Sequence, residues 1–177
     1  MRRLVVLSAL PGCVFDGAGV ASEAASGDAS TAVADAGEAQ DADNTPCPRG
    51  YLTLGGADAA RAYLVVTEPR VWSHARDACR EDLRGRTNLL VIETESELAL
   101  VEVIAPAEGA WLGLTDVAAE DDWRTVDGAN APVLAWAEGQ PDDGGGAGED
   151  CADTGGDDGW ADSGCAELRP SICACER

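Results

Sequence analysis

Lysine is absent from this 177-residue chain, and histidine, phenylalanine and methionine occur once each. Twelve Arg stand against 33 acidic side chains, for a formal charge of −21. A surface so short of positive charge repels phosphate, which makes nucleic acid and anionic lipid headgroups poor partners and favours metal cations or neutral ligands. The single His, His74, and the lack of a CxxC pair leave no zinc set. The only close cysteine pair, Cys173 and Cys175, is a CxC inside an apolar segment. Also missing are a G-x-S-x-G elbow, a Gly-rich phosphate loop and a nucleophilic cysteine setting, so the chain offers no catalytic centre and is not expected to be an enzyme. His74 falls on the polar side of a predicted helix and reads as a surface residue.

Cysteine, by contrast, is plentiful: seven residues, which together read as an oxidised disulfide framework. Residues 1–12 form a leader, Met1-Arg2-Arg3 followed by an apolar run at 4–10 that is too short to span a bilayer. Its ending, Leu10-Pro11-Gly12-Cys13, resembles a bacterial lipobox, which makes Cys13 the expected lipidation site and leaves six cysteines for disulfides. An ordinary secretory leader is the alternative. The expected location is therefore outside the cytoplasm, as a cell-surface or outer-membrane lipoprotein or a secreted protein. Arg in place of Lys, with abundant Ala and Gly, points to a GC-rich bacterial source. Residues 13–46 carry seven acidic and no basic side chains, with only Val14, Phe15, Val20 and Val33 as larger apolar groups. That is too little burial to offset the entropy of ordering, so a disordered acidic linker is expected there.

From Cys47 onward, 131 residues carry Cys, Trp, Leu and Val at regular intervals, enough for one core. Residues 61–67 read as a strand. Trp72, Ala75 and Cys79 fall at i, i+3 and i+7, one stripe of a helix over 71–82 that Gly85 stops. Ser96 is placed as the N-cap of a second helix, with Leu98, Val101 and Ile104 inward and Pro106 ending it. Residues 110–114 read as a buried strand. After a long Gly- and Asp-rich stretch, short strands are expected around Cys151, Trp160 and Ile172. Two helices followed by a loop-rich antiparallel sheet make an α+β domain.

The motifs appear in a telling order. Trp72-xx-Ala75-xxx-Cys79 and Asn88-Leu89-Leu90-Val91-Ile92 with Glu97 come first, then Trp111-Leu112-Gly113-Leu114-Thr115-Asp116, Trp123 and Trp136. Gln140-Pro141-Asp142, Glu149-Asp150-Cys151, Trp160-Ala161-Asp162, Cys165 and Ile172-Cys173 follow. The whole series resembles the C-type lectin-like domain across essentially all of 47–177. The resemblance implies an α+β C-type lectin-like fold: two helices, small antiparallel sheets and a long calcium-type loop. It also implies disulfides Cys79–Cys173 and Cys151–Cys165, a choice the spacing alone leaves open. Cys47 and Cys175 then remain and are taken to pair, tying the ends of the domain together. Long-form members of the family instead place a second Cys near the position of Cys47, which this chain lacks.

Between Glu138 and Asp162, nine carboxylates and no basic residue are interleaved with eight glycines. Packed carboxylates repel unless a cation sits among them, whereas a solvated acidic loop splays apart; composition leaves both open. Asp, Glu and a Gln amide oxygen are the hard ligands Ca²⁺ takes. The resemblance implies a principal Ca²⁺ held by Gln140, Asp142, Glu149 and Asp162, with Pro141 cis and Ala161 standing where sugar-binding members have Asn. Water, Asp157 or Asp158 would replace the missing oxygen. An auxiliary Ca²⁺ would use Asp116, Glu120, Asp143, Glu149 and Asp150, the set better filled by residue type.

In such members the principal ion and its ligands also contact the sugar, so Gln140, Asp142, Glu149 and Asp162 are the expected carbohydrate-binding residues. Gln140-Pro141-Asp142 resembles the galactose-selective form of the motif, although residues 143–148 lack the aromatic that stacks on galactose. Trp72, Trp111, Trp136 and Trp160 are expected in the core. The expected function is Ca²⁺-dependent carbohydrate binding, with a glycan or glycoprotein as partner and membrane attachment only through Cys13. The alternative is a lectin-like domain that recognises protein, with calcium structural or absent.

Overall fold

The computed structural model describes residues 46–54, 60–83, 85–145, 148–155 and 159–177. The leader, Cys13 and the acidic linker up to residue 45 lie outside the described residues, as do Asp157 and Asp158.

The run Leu64-Val65-Val66-Thr67, β-branched from Val65 on, sits in β1 (Arg61–Arg70), which extends three residues past the expected 61–67. Pro69 is accommodated because β1 is an outer strand with a register irregularity between Val66 and Arg70. The next element, α1 (Trp72–Asp82), buries the predicted stripe of Trp72, Ala75 and Cys79. Trp72 Nε1 donates to Leu112 O at 2.8 Å, giving the buried indole its partner. Strand β2 (Thr87–Leu89) leads to α2 (Glu95–Ile104).

The N-cap of α2 is Thr94 rather than Ser96. Thr94 Oγ1 accepts from Glu97 N at 3.1 Å, while Glu97 Oε2 reaches back to accept from Glu93 N at 2.8 Å. Glu97 is only 1% exposed, and its Oε1 also accepts from Arg61 Nη1 and Tyr63 Oη, both at 2.7 Å. The helix start is therefore set by a buried carboxylate anchored to β1, and Ser96 is left in the first turn.

The remaining strands are β3 (Trp111–Thr115), β4 (Arg124–Thr125), β5 (Cys151–Asp153), β6 (Ala161–Ser163) and β7 (Arg169–Glu176). All seven strands hydrogen-bond into one sheet of order β1-β7-β3-β5-β6, with β2 on β7 and β4 on β3. The expected small antiparallel sheets are thus joined, because β7 returns between β1 and β3 and meets β3 in parallel at Trp111 and Ser171. β7 is buried from Pro170 through Cys175, as an inner strand covered on both faces must be. Gly113 lets β3 approach this layer: a Cβ there would lie 2.7 Å from Leu89 O. Three disulfides join the same pairs that were expected: Cys79–Cys173 ties α1 to β7, Cys151–Cys165 ties β5 to the segment after β6, and Cys47–Cys175 ties the start of the described chain to β7. Among the described residues no helix is long and apolar enough to cross a membrane.

Candidate metal centre

The acidic loop is positioned by tryptophan and backbone before any carboxylate is considered. Ala137 N donates to Trp160 O and Trp160 N to Ala135 O, at 2.8 and 3.0 Å, so the chain after Trp136 is pinned beside the residue that precedes β6. Trp136 packs edge-on against Trp160 with ring centroids 6.1 Å apart, and tilted against Trp123 at 4.6 Å. Trp72, Trp111, Trp123 and Trp160 are buried and Trp136 is half-buried, leaving no exposed indole to stack on a sugar.

From that anchor the chain turns through the cis Gln140–Pro141 peptide toward β6. Asp162, 5% exposed, accepts from Asp142 N at 3.1 Å through each carboxylate oxygen and from Asp143 N at 2.8 Å. Its own N–H donates to Gln140 Oε1 at 3.4 Å. Asp143 adopts a left-handed φ of 48°, a conformation Asp tolerates, and its Oδ1 accepts from Glu149 N at 3.0 Å, which brings Glu149 back over the turn. Gly145 makes room for the returning side chain: a Cβ there would lie 2.7 Å from Glu149 Oε1.

The result is one tight group. Asp142, Glu149 and Asp162 each offer a carboxylate oxygen, all within 4.8 Å of one another. None of the three forms an ion pair with Arg among the described residues. Like charges held at that range repel one another, Asp142 being exposed, Glu149 half-buried and Asp162 buried, and a cation among them would relieve that repulsion. Oxygen ligands at this spacing, without His or Cys, suit Ca²⁺. Gln140 reaches the group only through Oε1, which accepts from Asp162 N, and Ala161 offers no side-chain oxygen.

The second expected set is gathered but looser. Asp116, just past β3, is 2% exposed; its Oδ2 accepts from Asp121 N at 3.0 Å, and its Oδ1 is buried with no hydrogen-bond partner among the described residues. Burial pushes its carboxyl above the usual carboxylate range; the Asp121 N–H opposes this, and the Asp150 charge adds to it. Glu120 is raised first by the Asp116 charge, then by desolvation and by Asp143, Asp121 and Asp150. Asp116, Glu120, Asp143 and Asp150 thus share one electrostatic neighbourhood, yet among the described residues only Asp142, Glu149 and Asp162 close to within 4.8 Å. By geometry the principal set is the better formed, the reverse of the ranking by residue type. Asp121 is an addition to the expected residues; its only sequence signal is the acidic run 120–122. A cleft of about 300 Å³ opens beside Glu149 between Gly145, Gly148 and the 164–167 turn. His74 is exposed on α1, away from these carboxylates in sequence and unpaired with them.

The Lectin C-type domain family matches residues 68–175. The chain is 33% identical over 132 residues to CD209 antigen-like protein D of Mus musculus, covering 72% of this chain and 52% of that protein. It therefore spans about half the length of that relative. Its fold is similar to the mouse scavenger receptor C-type lectin carbohydrate-recognition domain, with a TM-score of 0.67 and 28% identity over 75% of this chain and 99% of that one. It is similar as well to the cow C-type carbohydrate-recognition domain of CD23 in the presence of a GlcNAc2Man3 oligosaccharide, with a TM-score of 0.65 and 26% identity over 75% and 97% of the two chains. Since the family match runs from β1 through β7, the chain belongs to the C-type lectin domain family.

Proposed function

We propose that this domain is a Ca²⁺-dependent carbohydrate-binding module of an exported protein, with Asp142, Glu149, Asp162 and Gln140 holding the ion. The observation that carries this reading is the convergence of three carboxylates, none paired with Arg among the described residues, at the Gln140–Pro141 turn. An ion there would leave coordination positions open toward solvent, where vicinal hydroxyls of a sugar can bind the metal while hydrogen-bonding to the same carboxylates. The ligand is a glycan or glycoprotein; relatives described as carbohydrate-recognition domains, one of them studied with an oligosaccharide, support that class. The order Gln140-Pro141-Asp142 supports galactose-type selectivity. The unpartnered Asp116 Oδ1 supports a second Ca²⁺ among Asp116, Glu120, Asp143, Glu149 and Asp150. The leader and Cys13 support export, with anchoring through a lipid on Cys13 if the bacterial-type leader is used as such.

The test is a glycan array run with Ca²⁺ and again with EDTA. EDTA-sensitive binding to galactosides is expected. Silence across the array, with Ca²⁺ still stabilising the fold, would instead support the protein-recognising reading. Two observations favour that second reading: Ala161 removes an amide oxygen from the ion's surroundings, and residues 143–148 contain no aromatic to stack on a sugar.

A further inference from the structure

One buried carboxylate, Asp153, sits in a different chemistry, beside a hydroxyl and a guanidinium. Asp153, on β5, is 0% exposed, and its Oδ2 accepts from Ser163 Oγ at 2.7 Å while its Oδ1 accepts from Gly155 N at 2.5 Å. Arg169, the first residue of β7, donates from Nη2 to Ser163 Oγ at 3.0 Å and sets Nε 3.3 Å from Asp153 Oδ2. The guanidinium also lies 5.5 Å over the Trp111 ring of β3. Four strands therefore meet at one buried ion pair, with the Ser163 hydroxyl bridging its two charged partners.

Ser163 is the neighbour of Asp162 on β6, and successive strand residues face opposite sides of the sheet. β6 has only three residues, pairs through Ala152 with Asp162, and ends the sheet, so its own ladder fixes it weakly. With Ser163 held on one face, Asp162 is directed out of the other, toward Asp142 N and Asp143 N. We propose that Asp153, Ser163 and Arg169 are positioning residues that orient Asp162, and through it the cis-proline turn, for ligand binding. The inference rests on the proposed metal site for its function, while its structural effect is readable without metal.

The experiment follows amide hydrogen exchange in EDTA-treated protein. Ser163→Ala removes one oxygen from a small side chain and should speed exchange at the Asp142 and Asp143 amides about tenfold, leaving Leu64 and Ile172 in the β1–β7 ladder unchanged. Ser163→Thr, which keeps the hydroxyl, should restore protection. In Ca²⁺ titrations the same Ala variant should bind about tenfold more weakly, in the range seen when partners behind a metal ligand are removed. Unchanged exchange at Asp142 and Asp143, or an equal rise at Leu64 and Ile172, would overturn the positioning role. If wild type shows no Ca²⁺ binding, the proposed function falls, while the exchange data still decide this inference.

Discussion

Glu149→Ala separates a metal centre from an incidental acidic loop. Calcium modules with few ligands bind in the range of about 10⁻⁴ to 10⁻³ M. At about 10 mM Ca²⁺, such an affinity stabilises the folded state by roughly 1.4–2.7 kcal/mol through mass action. Unfolding the 131 residues from Cys47 onward releases about 0.27 kcal/mol per kelvin, at about 2.1 cal/mol/K per residue. The expected rise in melting temperature is therefore about 5–10 °C. Removing Glu149 leaves two of the three clustered carboxylates, and the rise should shrink to about 1 °C or less.

The metal-free protein supplies the opposite sign. Glu149 is held close to Asp142 and Asp162 with no Arg beside it, so its loss relieves repulsion. Discounted for solvent screening, that relief is about 1 kcal/mol or less, an increase of up to about 4 °C without metal. Differential scanning calorimetry of both proteins, in EDTA and in Ca²⁺, reads all four values. A wild type that does not respond to about 10 mM Ca²⁺, or a variant that responds as fully as wild type, would refute the metal assignment.

Ala161→Asn restores the amide oxygen that the family resemblance implies and should tighten Ca²⁺ binding about three- to tenfold by calorimetric titration; unchanged affinity would place residue 161 away from the ion. The raised carboxyls of Asp116 and Glu120 hold a proton more tightly when folded, so their contribution to metal-free stability grows as pH falls through the raised values and is complete below the ordinary 3.8 and 4.5. Urea midpoints of wild type minus those of Asp116→Asn should therefore rise toward acid in EDTA, and in saturating Ca²⁺ that slope should reverse as protons compete with the ion. A peptide map of unreduced protein should join Cys47 to Cys175. Their double replacement by Ala should cost about 5 kcal/mol in the chain-entropy model for a loop of 128 residues, read as a lower guanidinium midpoint.

The helices and inner strands were legible because their signals are local and repeat. The stripe Trp72, Ala75, Cys79 became the buried face of α1, and the apolar run 110–114 became β3 within one residue. The cap of α2 was misplaced at Ser96 because what selects Thr94 is Glu97, whose buried partners Arg61 and Tyr63 lie more than thirty residues away. Sheet topology was hidden for a related reason: the parallel contact between β3 and β7 joins residues sixty apart and has no local signature. At the site, residue type identified the carboxylates but ranked the two sets in the wrong order of closeness. What draws Asp142 to Asp162 is backbone N–H donation from the turn, and what admits Glu149 beside them is the space at Gly145, neither of which is visible in a count of acids.

Three buried Asp residues show how the domain divides its negative charge. Asp153 is 0% exposed, and burial raises its carboxyl while the Ser163 hydroxyl and Arg169 oppose the rise, so its partners lie within the protein. Asp116 and Asp162 are 2% and 5% exposed and are given backbone N–H groups instead. Hydrogen bonds from neutral amides stabilise a carboxylate without cancelling its charge, so both retain capacity for a cation. Arg169 could not serve at the loop without leaving Asp153 only the Ser163 hydroxyl and the Gly155 N–H as partners. The division of cations between these sites thus follows from their burial: the fully enclosed carboxylate receives a guanidinium, and the carboxylates bordering the loop receive partners compatible with an exchangeable ion. A basic residue introduced at Ala161 extends the same logic. Ala161→Arg should stabilise the metal-free loop while blocking Ca²⁺ binding, and a variant that still showed the full Ca²⁺ response would mean that the loop's charge does not hold the ion.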